Sequence, residues 1–172
     1  MLPSHLFCVI NEKSGRGHVY PIHVLVLAAH CARLPEFPKP IPQDPTDPIS
    51  ITLPLFAVPI PHIESFGLLH DYFYTKHFAR FLSALVPLPP TSLPSPDEVL
   101  TPEEKTRRVV QALSQTYTAG ALLERLRFVH GLWCNVCSLG ISEEGVWKVM
   151  QTAWNVLSQA AAMSQSPDTL KK

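Results

Sequence analysis

Proline is the sequence feature that most limits what this chain can fold into. The 172 residues include 18 prolines, nine of them within residues 35–61 and six within residues 87–102. Proline fixes its own φ angle and lacks a backbone N–H, so neither a helix nor a central strand continues through such stretches. We therefore predict an extended loop at residues 35–48, either a surface linker or a docking segment for an aromatic-grooved partner domain. A second proline-rich linker is predicted at residues 87–101.

Charge and hydropathy disfavour several classes of protein. The chain has 14 basic and 14 acidic residues, so its formal net charge is zero. A neutral chain releases few counterions from DNA, which disfavours direct nucleic-acid binding. The longest aliphatic run, residues 24–29, is much shorter than a membrane span, and four cysteines in a chain of this length do not require a disulfide framework. We expect an intracellular protein that makes no membrane contact.

The chain between the start and the second proline-rich stretch combines strands and helices. Residues 6–10 and 18–23 predict a hairpin, and residues 24–34 predict a helix that Pro35 ends. Residues 49–58 begin with an alternating β-branched pattern that predicts a strand. Apolar residues at helical spacing then predict helices over residues 62–75 and 78–85.

The helix over residues 62–75 carries the main prediction for the core. Its apolar side includes Phe66 and Leu69. We expect both residues to be buried where this helix packs against the strand at residues 49–58.

The C-terminal part is predicted to be helical. Thr101, Pro102 and Glu104 form a capping-box start, a second helix covers residues 121–139 and ends at Gly140, and a third covers residues 143–163. The fold class is therefore α+β, a small sheet with helices followed by a helical part. The predicted domains are residues 1–86 and 102–164, with a tail at 165–172.

The last helix carries two adjacent apolar rows, which is more than a surface helix needs. One row contains Trp147, Met150, Trp154 and Leu157. Either the two preceding helices clamp this helix, or these four residues contact a partner chain. Tryptophan is enriched among residues that dominate binding energy, so they are the candidate partner-binding residues.

A CxxC motif offers a competing function. His130, Cys134 and Cys137 share one helical face and are the candidate ligands of a small metal- or thiol-dependent protein. A structural zinc site needs a fourth ligand, and a reactive CxxC lies at a helix start, whereas this one lies at a helix end. We therefore favour buried core thiols. No phosphate-binding loop, nucleophile elbow or HExxH motif occurs, so we expect neither an enzyme nor a cofactor.

Two segments resemble the BTB/POZ family. Residues 17–31 read GHVYPIHVLVLAAHC, similar to the BTB segment in which a strand ends in aromatic-x-x-His and enters an apolar helix. Residues 60–76 read IPHIESFGLLHDYFYTK, similar to the later BTB segment in which a strand leads to a helix ending in Tyr-Thr-Gly. Lys76 stands where that pattern usually has glycine. The resemblance implies a BTB/POZ-like fold for residues 1–86.

The chain also resembles the fungal clampless-type developmental proteins of basidiomycetes. Residues 68–76 are similar to their LLHxYLYTK pattern, and residues 130–140 are similar to HGLWxNVCxLG. This resemblance implies a non-catalytic regulator of mating and sexual development that acts through protein contacts in the nucleus or cytoplasm. Transcription regulators are among the implied partners, and self-association is left open. A DNA-binding regulator is a further alternative, but residues 101–172 hold only 8 basic against 6 acidic side chains.

Overall fold

The computed structural model describes residues 2–11, 14–42, 51–89 and 101–165. Within these ranges it contains three strands and six helices, which confirms the predicted α+β class. In chain order they are β1 (His5–Ile10), β2 (Gly17–Ile22), α1 (Val24–His30), β3 (Leu55–Pro59), α2 (Ile63–Thr75), α3 (Phe78–Leu85), α4 (Pro102–Thr116), α5 (Ala119–Leu139) and α6 (Glu144–Ser164).

The chain forms two compact units. The first unit consists of residues 1–76 and 131–143, and the second of residues 77–130 and 144–172. Each unit contains two separate stretches of the chain. Each predicted domain, in contrast, is one continuous stretch, and the first ends at residue 86. That division stays a prediction. Most of the predicted linker and tail lies outside the described residues.

The predicted hairpin is confirmed. β1 lies between the other strands, antiparallel to β2 and parallel to β3. The register places Phe7 opposite Tyr20 and beside Phe56. Because neighbouring residues of a strand point to opposite faces, this register defines two faces of the sheet.

The start of β3 corrects the predicted strand. Residues 51–54 form no strand, and β3 begins at Leu55; residues 49 and 50 lie outside the described residues. β1 begins at His5, and its second residue, Leu6, already pairs with Leu55. Residues 51–54 therefore have almost no β1 residues opposite them. Pro54 contributes only its carbonyl, which accepts the Leu6 N–H at 2.9 Å.

The end of α1 also differs from the prediction. This helix ends at His30 rather than at residue 34. The Arg33 N–H donates to the carbonyl of Leu139 at 3.0 Å instead of bonding within α1. A partner more than one hundred residues away therefore ends this helix before Pro35 is reached.

The described part of the first proline-rich stretch lies against the sheet. Residues 35–42 have no regular structure, in agreement with an extended loop, and residues 43–48 of that prediction lie outside the described residues. The buried His5 ring donates from Nε2 to the Pro38 carbonyl at 2.9 Å, and the Phe37 ring lies 5.2 Å from Phe56. The start of this loop is therefore fixed by specific contacts.

α2 covers the inner face of the sheet. Phe66 and Leu69 are fully buried, which confirms that part of the prediction. The Phe66 ring lies 5.2 Å from Phe7 of β1 and 5.0 Å from Tyr20 of β2. The sequence predicts a contact with the strand at residues 49–58, whereas these aromatic contacts join α2 to β1 and β2.

The second unit is helical. The Thr101–Glu104 capping box is confirmed, with the Thr101 N–H donating to Glu104 Oε2 at 2.8 Å and the Glu104 N–H donating to Thr101 Oγ1 at 3.3 Å. α6 packs along α4 and α3, whereas the sequence predicts the two preceding helices as its neighbours. Gly145 permits the contact with α3, because a side chain there would overlap the Phe78 ring.

We expect Leu69→Ala to lower the free energy of unfolding by about 2–5 kcal/mol, because it leaves a cavity where a fully buried side chain was. Leu25→Ala is the matched control, since Leu25 is 82% exposed and its truncation creates no cavity. Urea denaturation of both variants measures the difference. Equal midpoints for the two variants would contradict the described packing of α2.

Candidate functional site

The CxxC residues lie on α5. Cys137 is exposed and Cys134 is half-buried, so neither is the buried core thiol that the sequence indicates. The buried side of this part of α5 carries Leu132, Val136 and Leu139 instead. The exposed His130 belongs to the second unit and the two cysteines to the first. Across the described ranges, no group of three or more His, Cys, Asp or Glu side chains could hold a metal ion.

Asn135 makes several hydrogen bonds within the segment at residues 130–140 and the start of α2. Its side chain is fully buried. Oδ1 accepts the His62 N–H at 2.9 Å, and Nδ2 donates to the His62 carbonyl at 2.6 Å and to Ser65 Oγ at 3.0 Å. His62 is the N-cap residue of α2 and has no side-chain cap of its own. The Asn135 amide therefore fixes the start of α2 against α5.

Two glycines of the same segment are required by geometry. A side chain at Gly131 would overlap the His62 ring, so glycine lets that ring lie against α5. Gly140 has φ of +68° and ends α5 with a Schellman motif, in which the Ile141 N–H donates to the Val136 carbonyl at 3.0 Å. The segment that resembles the clampless pattern thus has a structural role in the first unit.

The other clampless-like segment ends in a polar cluster, which we call the Glu143 cluster, formed by His30, Tyr72, Lys76 and Glu143. The Tyr72 hydroxyl donates to Glu143 Oε1 at 2.5 Å. Lys76 Nζ donates to Glu143 Oε2 at 3.0 Å and to His30 Nδ1 at 3.1 Å. The His30 ring stacks on Phe73 with centroids 4.9 Å apart. The cluster joins α1, the end of α2 and the segment before α6.

The hydrogen bonds and burial of the Glu143 cluster shift three pKa values. Burial raises the pKa of Tyr72, and its hydrogen bond to Glu143 raises it further. Burial alone would raise the pKa of Glu143, but the hydrogen bonds from Tyr72 and Lys76 outweigh burial and lower it. Burial, followed by the nearby Lys76 charge, lowers the pKa of His30. Near neutral pH the cluster is therefore a carboxylate held by a neutral phenol and an ammonium group.

The four predicted partner-binding residues divide into two pairs. Met150 and Leu157 are fully buried, so they cannot contact a partner of the folded chain. Trp154 is 39% exposed and Trp147 is partly buried, and an ideal helix places the two indoles about 20° apart around its axis. The exposure of Trp154 contradicts the alternative in which both tryptophans fill the core. Partner binding by the two indoles stays a prediction.

The outer face of the sheet is an apolar surface that the sequence analysis does not identify. It consists of the side chains that alternate with the buried ones on all three strands. Val19 and Leu55, on the two edge strands, are 54% and 57% exposed. None of its residues carries a charge. The outer sheet face is defined by Leu6, Cys8, Ile10, Gly17, Val19, Pro21, Leu55, Ala57 and Pro59.

A signal for this face is present in the sequence. β1 is apolar at every position from Leu6 to Ile10, whereas a strand with one solvated face alternates between apolar and polar residues. Such a continuous run is typical of a strand that is covered on both faces. Assigning the run to a surface required the order of the strands and the location of α2.

Both edges of the sheet carry a proline at an outward-facing position. The Asn11 N–H donates to the Arg16 carbonyl at 2.9 Å. Because the backbone groups of alternate residues in a strand point to opposite sides, those of Pro21 point away from β1. The Pro21 carbonyl accepts from His70 Nε2 at 3.3 Å. Pro59 has the corresponding position on β3, because the Ile60 N–H donates to β1. These prolines protect the edges from pairing with a further strand.

We expect Asn135→Ala to lower the free energy of unfolding by about 1–3 kcal/mol, because the part-buried N–H and carbonyl of His62 lose their hydrogen bonds to the amide. Asn155→Ala is the control, since Asn155 is exposed on α6. Chemical denaturation measures both variants. An Asn135→Ala variant as stable as the control would contradict the proposed role of the amide.

The Glu143 cluster should make stability depend on pH. Because folding lowers the pKa of His30 below its usual value of about 6.5, the associated stability is present above that pH and is lost as the pH falls through the folded-state pKa. The lowered pKa of Glu143 acts with the same sign at more acidic pH. We expect Tm to fall between about pH 7 and pH 5, and His30→Gln to reduce that fall.

Calorimetry over this pH range tests the prediction. The exposed His18 provides the matched control, His18→Gln, which should keep the pH dependence of the wild type. If His30→Gln and His18→Gln give the same profile, the Glu143 cluster does not contribute to the pH dependence.

The described part of the chain contains no helix that is both long and apolar enough to span a membrane. No solved structure matches the chain.

The chain is similar to Clampless protein 1 from two strains of Cryptococcus neoformans var. neoformans serotype D, with 32% identity over 123 residues in each case. Each match covers 70% of this chain and 22% of the relative, so the chain spans about a fifth of the length of these relatives.

Two family models match the chain along most of its length. Residues 1–61 match the Clampless protein 1 N-terminal domain, and residues 79–172 match the Clampless protein 1 C-terminal domain. The second match alone covers more than half of the chain. The chain therefore belongs to the Clampless protein 1 family.

Proposed function

We propose that this chain is a non-catalytic protein–protein interaction module of a regulator of fungal mating and sexual development, and that it acts without a cofactor in the nucleus or cytoplasm. The observation that carries the proposal is the outer sheet face. Its edge residues Val19 and Leu55 are more than half exposed, and none of its nine residues is charged. We take this contiguous uncharged surface as the interaction site, because an exposed apolar patch is a candidate contact surface.

The developmental part of the proposal rests on family membership. The similar proteins are named Clampless protein 1, and we extend a role in clamp-cell formation from that name to this chain. Other proteins, including transcription regulators, are the proposed partners.

The BTB/POZ-like character of the first unit is part of the same proposal. Its elements follow one another as hairpin, helix, strand and helix, in the order of the two segments that resemble the BTB family. Lys76 has φ of 53°, a left-handed conformation that favours glycine. Glycine is the residue that the BTB pattern usually has there, so the backbone geometry supports the resemblance.

A charge substitution on the outer sheet face tests the function in the fungus that encodes this chain. We expect Val19→Lys, introduced at the chromosomal locus, to reduce clamp-cell formation during mating, because it places an ammonium group on the apolar surface. Leu25→Lys is the matched control, since Leu25 is an exposed leucine of α1 outside this face. Protein levels are compared by immunoblot, and normal clamp formation with Val19→Lys would contradict the proposal.

Proximity labelling separates an interaction defect from other causes. The full protein is fused to a biotin ligase, and its labelled neighbours are compared among the wild type, Val19→Lys and Leu25→Lys. We expect a set of neighbours that disappears only with Val19→Lys. An identical set in all three strains would contradict binding through the outer sheet face.

A further inference from the structure

We infer that the outer sheet face binds the apolar side of one amphipathic helix supplied by a partner protein. This inference rests on the proposed function and adds the identity of the occupant. The edges, the size and the chemistry of the face each favour a helix over the other structures that could cover a sheet.

The edges of the sheet disfavour a partner strand. An added strand needs a continuous row of backbone donors and acceptors. Pro21 and Pro59 have no N–H at the outward-facing positions of the two edge strands, and the Pro21 carbonyl already accepts from His70. A partner therefore gains more from the side chains of the face than from its edges.

The size of the face disfavours a second copy of this chain. Three strands about 4.8 Å apart, with five residues of β1 paired on both sides, give a face about 14 Å wide and about 16 Å long, or roughly 220 Å² in projection. Even twice that area is well below the roughly 800 Å² per partner that a stable dimer buries. A helix is about 10 Å wide, and 11 residues extend about 16 Å, so one short helix covers the whole face and forms a weak, transient complex with it.

The side chains of the face suit the ridge of a helix. Its smallest residues are Gly17, Cys8 and Ala57, one on each strand. Cys8 is paired to Ala57 and to Val19, and Gly17 is paired to Ile10, so Gly17 is a diagonal neighbour of Cys8. A Cβ atom at Gly17 would lie 3.2 Å from Cys8 Sγ, so these residues are in close contact. Larger apolar side chains flank them at Val19 and Leu55. Because the face has no charge, the contacting side of the helix must be uncharged while its opposite side stays in water.

Two displayed peptide libraries test the occupant with the full chain as bait. One library has apolar residues at positions i, i+3, i+4 and i+7, and the other alternates apolar and polar residues. We expect binders from the helix-pattern library. A synthetic copy of an enriched peptide should gain helical circular dichroism when it binds. Its Kd should weaken by about tenfold or more with Val19→Lys or Leu55→Lys, and remain unchanged with Leu25→Lys.

The cysteines of the chain locate the bound peptide. Cys8 lies on the outer sheet face, whereas the exposed Cys137 lies on α5. We expect the synthetic peptide to slow alkylation of Cys8 by iodoacetamide and to leave alkylation of Cys137 unchanged. Thermal unfolding of each variant verifies that the substituted residues, all more than half exposed, leave the fold intact.

Three results would overturn the inference: no helix-pattern binders, binders that tolerate Val19→Lys, or enrichment from the strand-pattern library only. A dimer that Val19→Lys dissociates, measured by analytical ultracentrifugation, would identify a second copy as the occupant instead. Failure of the proposed function is distinguishable from these outcomes. If Val19→Lys abolishes clamp formation while no helical peptide binds, the interaction module stands and only the helical occupant is wrong.

Discussion

The buried amide of Asn135 is the interaction on which the arrangement of the first unit depends. The first N–H groups of a helix have no intrahelical partner, and His62 at the N-cap of α2 has no side-chain cap. Asn135 bonds both backbone groups of His62 from α5. Apolar contacts alone are not directional, whereas these two hydrogen bonds fix the start of α2 against α5. α2 covers one face of the sheet, and the opposite face is exposed at Val19 and Leu55 of its edge strands.

Elements with local signals could be predicted from the sequence, and elements defined by distant partners could not. The capping box at Thr101, the end of α5 at Gly140 and the bounds of α3 each depend on residues within a few positions. The end of α1 depends on Leu139, and the start of β3 depends on pairing with Leu6. No pattern within either segment contains that information.

The candidate site shows the same division. Helical periodicity identified the partly exposed Trp154, but it also selected Met150 and Leu157, because periodicity alone does not separate a core position from an exposed one. The outer sheet face is the reverse case. Its residues come from a hairpin and from β3, which lies more than thirty residues further along the chain, so they form a surface only once the strand order is known. The apolar run of β1 is typical of a strand that is covered on both faces, but it does not show which strands complete the outer sheet face.

Lys76 has a consequence for how this family can change. A non-glycine residue in the left-handed region is disfavoured by roughly 1–2 kcal/mol, and here the side chain that causes this strain also bonds Glu143. With glycine at this position, the backbone would be relaxed and the carboxylate would have one partner fewer. We therefore expect the effect of replacing Glu143 to depend on which residue occupies position 76. Such coupling would restrict the order in which positions 76 and 143 can be substituted.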